Sequence, residues 1–133
     1  MSAFTNIYVL YLQQNRYYIG RSANPAKRFR EHVNGHGSEW TRKYKPIELI
    51  QIYENQSHYD EDKYVKEYMT LYGIDNVRGG SYVTEYLHKY QIYNLKREIW
   101  NATGCCLRCG NKNHYVKHCY ALKDVTGESI LDF

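Results

Sequence analysis

The sequence contains no run of the roughly 18 apolar residues that a membrane-spanning helix needs, and its N-terminus has no basic segment followed by an apolar one. The first absence argues against a membrane partner and the second against secretion. We therefore expect a soluble, intracellular protein, without distinguishing nucleus, cytoplasm or a viral compartment. With only two prolines, no repeat and no low-complexity tract, the chain has no proline-rich linker, so we expect its modules to be closely attached.

Phenylalanine and methionine are scarce, at three and two residues, whereas tyrosine occurs sixteen times. Because a core needs large side chains, we expect most tyrosines to lie inside the protein, and a few of them could stack on bases. A chain of 133 residues can bury one modest core and a small metal-stapled unit, but hardly two full domains.

Cysteine is absent from the first 104 residues, and all four cysteines lie between positions 105 and 119. This crowding favours a metal site over a disulfide framework. Two, four and four residues separate four potential ligands, which is the spacing of a zinc knuckle with three thiolates and one imidazole. Cys105 and His118 are neighbours that could replace a ligand. The predicted Zn²⁺ ligands are Cys106, Cys109, His114 and Cys119.

Several side chains of the knuckle are suited to nucleic acid. Leu107 and Tyr115 lie where knuckles commonly place apolar residues that contact bases. Lys117 is one of three basic residues between Cys106 and Cys119, a segment without an acidic residue. We therefore predict that Leu107, Tyr115 and Lys117 contact nucleic acid.

The charges of the first half of the chain are divided between two segments. Residues 16–45 hold eight Lys or Arg against two Glu, and residues 54–75 hold six acids against two Lys. This division suits a site that holds a polyanion on one side and a divalent cation on the other. Solvated faces of two amphipathic helices are the alternative explanation.

Two strands and one helix are predicted near the N-terminus. The runs Ile7–Leu12 and Tyr17–Ile19 are rich in aromatic and branched residues and flank a polar corner, so they predict a β-hairpin. A helix is expected from the N-cap Asn24 to a C-terminal cap at Gly35.

The predicted helix places Arg28 and His32 on one face, because they are four residues apart. Each residue taken alone would more readily be a solvated charge on an ordinary helix. Their combination with the hairpin favours a functional site over an ordinary solvated helix face.

Along this segment the chain reads Ile7-Tyr8, then nine residues, then Tyr18-Ile19-Gly20, with Arg28 downstream. The set resembles the paired signature of the GIY-YIG nuclease superfamily, over roughly residues 6 to 83. Asn6 replaces the first glycine of that signature, a position of backbone rather than chemical consequence. His32 resembles a histidine found four residues after the arginine in some branches of the family.

A second helix is predicted to begin near Ser57 and to end before Gly73. Glu61 lies in line with its apolar stripe and resembles the metal-binding glutamate of GIY-YIG enzymes. The alternative is that Glu61 occupies the exposed end of the stripe. Asn76 follows at the spacing of a polar residue that supports the site in some relatives, with a turn role as its competing explanation.

A third strand is predicted over Ile47–Tyr53 from its alternating pattern. The polar segment from Asn34 to Pro46 precedes it and is either a surface connection or a wall of the binding cleft. In the cleft reading, basic and aromatic side chains of this region contact nucleic acid. These are Trp40, Arg42 and Lys43, and Arg21, from the earlier basic segment, is predicted to contact nucleic acid with them.

The predicted fold class is α/β, with a small three-stranded antiparallel sheet flanked by helices and a C-terminal zinc knuckle. We expect a nuclease domain at residues 1–83, a helical spacer docked on it at 84–103, the knuckle at 104–122, and a tail at 123–133 without a clear element.

The resemblance implies hydrolysis of DNA phosphodiester bonds. In that mechanism Glu61 holds Mg²⁺ or Mn²⁺, Arg28 neutralises charge on the phosphoryl oxygens, and Asn76 supports the site. Tyr8, Tyr18 and His32 share the acid–base and orienting work in a division left open.

The expected substrate is branched or partly single-stranded DNA, in repair or recombination. One alternative is an inactive module that binds DNA or RNA through the knuckle, and another is a protein-interaction adaptor. The oligomeric state is not predicted.

Overall fold

The computed structural model describes residues 3–130. By its internal contacts the chain divides into two compact units, with the boundary between Leu87 and His88. The predicted domain limits at residues 83, 103 and 122 stay predictions. Along the described residues 3–130, every helix is too short or too polar to cross a membrane.

The first unit is built on one mixed sheet of four strands in the order β3-β1-β2-β4. Strand β1 pairs antiparallel with both β2 and β3, which confirms the predicted antiparallel strands. The sheet also has a fourth strand that pairs parallel with β2. At three residues it is too short to show an alternating pattern. The strands are β1 (Phe4–Leu12), β2 (Arg16–Ser22), β3 (Pro46–Ser57) and β4 (Val77–Gly79).

Among residues 3–130, three α-helices belong to the first unit and one to the second. The α1 helix begins as predicted, because the side chain of Asn24 accepts a hydrogen bond from the Lys27 N–H and Pro25 occupies the first turn. A short helix, α2, interrupts the predicted loop after it. The helices are α1 (Pro25–Val33), α2 (Glu39–Lys43), α3 (Asp60–Tyr72) and α4 (Lys89–Ala102).

One aromatic-rich core cluster joins β1 and β2 to the α1–α2 region, with Phe29 and Leu49 packed against it. Trp40, predicted to contact nucleic acid, is a core residue with 2% of its surface exposed. Its indole N–H donates to the Tyr17 carbonyl at 3.0 Å, so its ring has no face to offer a base. The cluster consists of Tyr8, Leu10, Leu12, Tyr18, Trp40 and Tyr44.

The second unit contains α4 and the cysteine-rich segment. The tail, predicted to have no clear element, forms a bridge between Lys123 and Ser129 as far as it is described. Its turn is closed by Asp124, whose Oδ1 accepts hydrogen bonds from the backbone N–H groups of Thr126 and Glu128. Residues 131–133 of the predicted tail lie outside the described residues.

Candidate active site

Tyr8 and Gly20 lie opposite each other on β1 and β2. A Cβ atom on Gly20 would collide with the hydroxyl end of the Tyr8 ring. Glycine is therefore required at this position because the tyrosine ring crosses its backbone, and the ring thereby reaches the C-terminal part of α1.

The Tyr8 hydroxyl meets His32 of α1, with 2.9 Å between Oη and Nε2. The other ring nitrogen of His32, Nδ1, lies 2.9 Å from Oγ1 of Thr41 on α2. Both Tyr8 and His32 are only 1% exposed. Three elements, β1, α1 and α2, thus contribute to one buried hydrogen-bonded chain.

Burial sets the protonation states of this pair. It lowers the pKa of His32 to about 4, assisted by the positive charge of Arg28. Burial also raises the pKa of Tyr8 well above its ordinary value. The neighbouring Tyr18 raises this pKa further, whereas the positive charge of Arg28 lowers it. Near neutral pH the pair is therefore a neutral phenol and a neutral imidazole.

Tyr18 lies beside both members of the pair. Its ring centroid is 4.9 Å from that of His32 and 6.3 Å from that of Tyr8. Burial raises the pKa of Tyr18, and the negative charge of Glu61 raises it further. Because Glu61 also acts on Tyr8, its carboxylate lies within electrostatic reach of both tyrosines.

Arg28 borders the same site from α1. Its Nη1 atom lies 3.4 Å from Oε2 of Glu31 and 3.3 Å from the carbonyl oxygen of His36. Its charge and hydrogen bonding act on the Tyr8 hydroxyl. The guanidinium, one third exposed, can therefore face both the tyrosine and a solvent-borne anion.

Glu61 occupies the first turn of α3, and its side chain is 19% exposed. Burial raises the pKa of its carboxyl, whereas Arg21 lowers it. Arg21 Nε lies 3.7 Å from Oε1, a long ion pair. The neighbouring Asp62 is used by the turn after β4, since it accepts hydrogen bonds from the N–H and the hydroxyl of Ser81 at 2.8 and 2.7 Å.

The donor set fits a divalent cation held by one protein carboxylate. Mg²⁺ and Mn²⁺ prefer oxygen ligands and commonly bind through one or two carboxylates, water and substrate phosphate. Glu61 offers one carboxylate of this kind, partly buried and within electrostatic reach of both tyrosines.

Comparison with protein-family models matches residues 4–69 to the GIY-YIG catalytic domain. The chain therefore contains a GIY-YIG domain. The matched span begins at β1 and ends within α3, so it includes Tyr8, Tyr18, Arg28, His32 and Glu61. No curated protein and no solved structure matches the chain.

Asn76 lies beyond the matched span of the GIY-YIG domain, in a 3₁₀ turn at Ile74–Asn76. Its side-chain N–H donates to the carbonyl of Tyr72 at 2.7 Å. This hydrogen bond caps the end of α3 and supports the turn role that was the competing explanation. A supporting role of Asn76 in the active site stays a prediction.

The basic residues predicted to contact nucleic acid differ in their surroundings. Arg21 is exposed and bonds His58 at 3.0 Å beside the Glu61 carboxylate. Arg42 is exposed on α2 and donates to the carbonyl of Gly37. Lys43 forms an ion pair with Glu85, which leaves it less suited to a phosphate than the other two.

The second unit brings its predicted ligands together. The ligand atoms of the four residues lie within 4.8 Å of one another and could form a zinc site. Gly110, with φ at +82°, allows its N–H to donate to the Cys106 carbonyl at 2.7 Å. The cluster consists of Cys106, Cys109, His114 and Cys119.

Hydrogen bonds from neighbouring residues support the candidate zinc ligands. Arg108 Nη1 lies 3.3 Å from the sulfur of Cys119, which favours the thiolate. The Val125 N–H donates to the carbonyl of Cys109 at 2.8 Å, so the tail contributes to the same unit. Cys105 lies outside the cluster, and its sulfur accepts a hydrogen bond from the hydroxyl of Thr103.

The predicted nucleic-acid contacts of the second unit are unequal in exposure. Tyr115 is 71% exposed, and Lys117 is also exposed. Leu107 is half-buried, and its carbonyl accepts a hydrogen bond from Arg97 of α4. Of these three predicted residues, Tyr115 alone has an aromatic ring, and that ring is open to solvent.

Proposed function

We propose that this protein is a divalent-metal-dependent endonuclease that hydrolyses DNA phosphodiester bonds. The observation that carries the proposal is the meeting of the Tyr8–His32 pair with Tyr18, the Arg28 guanidinium and the Glu61 carboxylate in one domain. A general base, a cation for the phosphoryl oxygens and a ligand for a hard metal are the parts that phosphodiester hydrolysis requires.

Each residue has a role in this proposal. Bound at Glu61, Mg²⁺ or Mn²⁺ would supply Lewis-acid polarisation of the scissile phosphate. Arg28 neutralises charge that grows on the phosphoryl oxygens. Tyr8 takes a proton from the attacking water while His32 accepts the proton of the phenol. Tyr18, next to both, orients the water or the phosphate.

We further propose that the zinc unit directs the enzyme to branched or partly single-stranded DNA, as in repair or recombination. The exposed ring of Tyr115 and the charge of Lys117 support this assignment, because unpaired bases and phosphates are the groups that such side chains bind. A closed duplex offers few exposed bases to the unit.

The experiment is a cleavage assay on linear, nicked, flapped and four-way DNA with Mg²⁺ or Mn²⁺. We expect wild-type protein to cut at least one of them and Glu61→Gln to lose cleavage while it still binds DNA, because phosphate contacts dominate affinity. Glu67→Gln, which alters an exposed carboxylate of the same helix, is the matched control and should keep wild-type activity.

Two results would contradict the proposed function. Wild-type turnover in Glu61→Gln, or full activity in excess EDTA, would exclude the metal role of Glu61. Salt-dependent binding of DNA or RNA without any cleavage would support the inactive binding module instead, and the absence of such binding would support a protein adaptor. Chelation should be brief, with Mg²⁺ restored afterwards, because EDTA would also remove zinc.

A further inference from the structure

Thr41 belongs to no motif in the sequence, yet its hydroxyl contacts the histidine of the candidate active site. It lies on α2 and is 1% exposed. Its Oγ1 atom is 2.9 Å from Nδ1 of His32, on the side of the ring opposite Tyr8. The hydroxyl is thus the second partner of an imidazole whose first partner is the phenol.

The direction of each hydrogen bond follows from counting protons. Tyr8 is buried and its phenol carries a proton, which needs an acceptor, and Nε2 of His32 lies at 2.9 Å. Nε2 must then present its lone pair, so the single proton of the neutral imidazole is on Nδ1. Thr41 Oγ1 accepts a hydrogen bond from this Nδ1–H, and its own hydroxyl donates to the carbonyl of Ser38 at 3.2 Å.

We propose that Thr41 is a positioning residue that holds His32 in the Nδ1–H tautomer, with the lone pair of Nε2 aimed at the Tyr8 hydroxyl. This inference rests on the proposed function for its consequence in catalysis. The geometry from which it is drawn does not depend on that function.

Gly37 makes the contact possible. A Cβ atom on Gly37 would collide with Nδ1 of His32 and would lie 2.6 Å from Oγ1 of Thr41. A side chain at position 37 would therefore separate the two partners. The N–H of Ser38 also donates to Oγ1 at 3.1 Å, which helps to hold the oxygen in place.

The tautomer matters for the proton that leaves the attacking water. As the water oxygen bonds to phosphorus, the bond to the leaving oxygen breaks and that oxygen takes a proton from solvent, while the water proton passes to the Tyr8 oxygen. The Tyr8 proton passes to Nε2 at the same time, and the resulting imidazolium keeps its Nδ1–H on Thr41. In the opposite tautomer Nε2 already carries a proton and cannot accept another.

The direct test is ¹⁵N NMR of the His32 ring in the full-length, zinc-loaded protein, because the two tautomers give distinct ring-nitrogen shifts. We expect wild type and Thr41→Ser to show the Nδ1–H form. Thr41→Val keeps the shape but removes the acceptor, so we expect the Nε2–H form to become populated. Thr70→Val, at an exposed hydroxyl on α3 that donates to its own helix, is the matched control.

Single-turnover cleavage is the second readout. We expect Thr41→Val to cut about 10- to 100-fold more slowly, as for other partners that orient an active-site histidine, with Thr41→Ser near wild type. Nε2–H His32 in the wild type would overturn the inference, and so would an unchanged tautomer and rate in Thr41→Val.

If Thr41→Val does not fold, Gly37→Ala replaces it, since its methyl group would displace the ring from the hydroxyl. The Nδ1–H form and the wild-type rate in Gly37→Ala would also contradict the inference. If wild type cuts no DNA, the proposed function fails, whereas the tautomer measurements still decide whether Thr41 positions His32.

Discussion

The four zinc-ligand candidates lie within residues 106–119, whereas the groups of the candidate active site are distributed from Tyr8 on β1 to Glu61 on α3. In the second unit, spacing along the chain is nearly sufficient to bring the ligands together. In the first unit, a sheet and two helices must form before all the catalytic candidates meet. The two sites should therefore lose function independently.

The zinc unit is also stabilised by contacts between residues far apart along the chain. Lys96 of α4 pairs with Asp124 of the tail at 2.9 Å, with side chains 16% and 8% exposed. A Cβ on Gly110 would lie 2.5 Å from the Trp100 ring and 2.7 Å from the side chain of Val125. The segment around the metal ligands is thus packed between α4 and the tail.

The largest effect is expected from Arg28→Ala. If the guanidinium stabilises transition-state charge, single-turnover cleavage should slow by roughly 100-fold or more while the fold and the zinc unit stay intact. Lys27→Ala, an exposed neighbour on the same helix, is the control. A change in DNA affinity alone would reassign Arg28 to substrate positioning.

Cys109→Ser tests whether the two sites are independent. The variant should lose the zinc unit and bind DNA about tenfold to a few hundredfold more weakly, since stacking contributes about 1–3 kcal/mol per base. The loss should be greatest on DNA with unpaired bases, and the cleavage rate should recover at saturating enzyme. A variant that stays inactive at saturation, with residues 4–87 folded, would show that the zinc unit helps to build the active site.

His32 should make the first unit sensitive to acid. Its pKa is about 4 in the folded state against an ordinary 6.5, so below pH 6.5 the unfolded chain binds a proton that the folded one does not. The free energy of unfolding should therefore fall by about 2 kcal/mol between pH 7 and pH 5, and level off below pH 4. Urea unfolding of wild type, His32→Gln and the exposed-site control His36→Gln measures this difference. An equal pH dependence in wild type and His32→Gln would contradict it.

The smallest effect, about 1 to 2 kcal/mol, is expected from Lys96→Met. It removes a charge-assisted hydrogen bond from Asp124 and so should loosen the tail and weaken zinc binding. Lys89→Met, at an exposed position of α4, is the control, and competition with a zinc-binding dye is the measurement. Unchanged zinc affinity would mean that residues 106–119 bind zinc without support from the contact between α4 and the tail.

Much of both sites was predictable from local patterns. The spacing of the cysteines and histidine identified the ligand set, because ligands so close in sequence can meet without help from the rest of the chain. The hairpin and the Asn24 cap were predictable, and the capped helix places Arg28 on the face of His32. The family match over residues 4–69 agrees with the resemblance seen in these residues.

By itself, then, the sequence determined the ligand spacing, the hairpin and the spacing of Arg28 and His32, since each depends on neighbours a few residues apart. Only the tertiary structure decided that Trp40 is buried, that β4 pairs with β2, and that the Thr41 hydroxyl meets His32. These outcomes depend on contacts between separate elements of the fold. Such contacts leave no periodic pattern in a loop or a three-residue strand, so they could not be predicted from either segment alone.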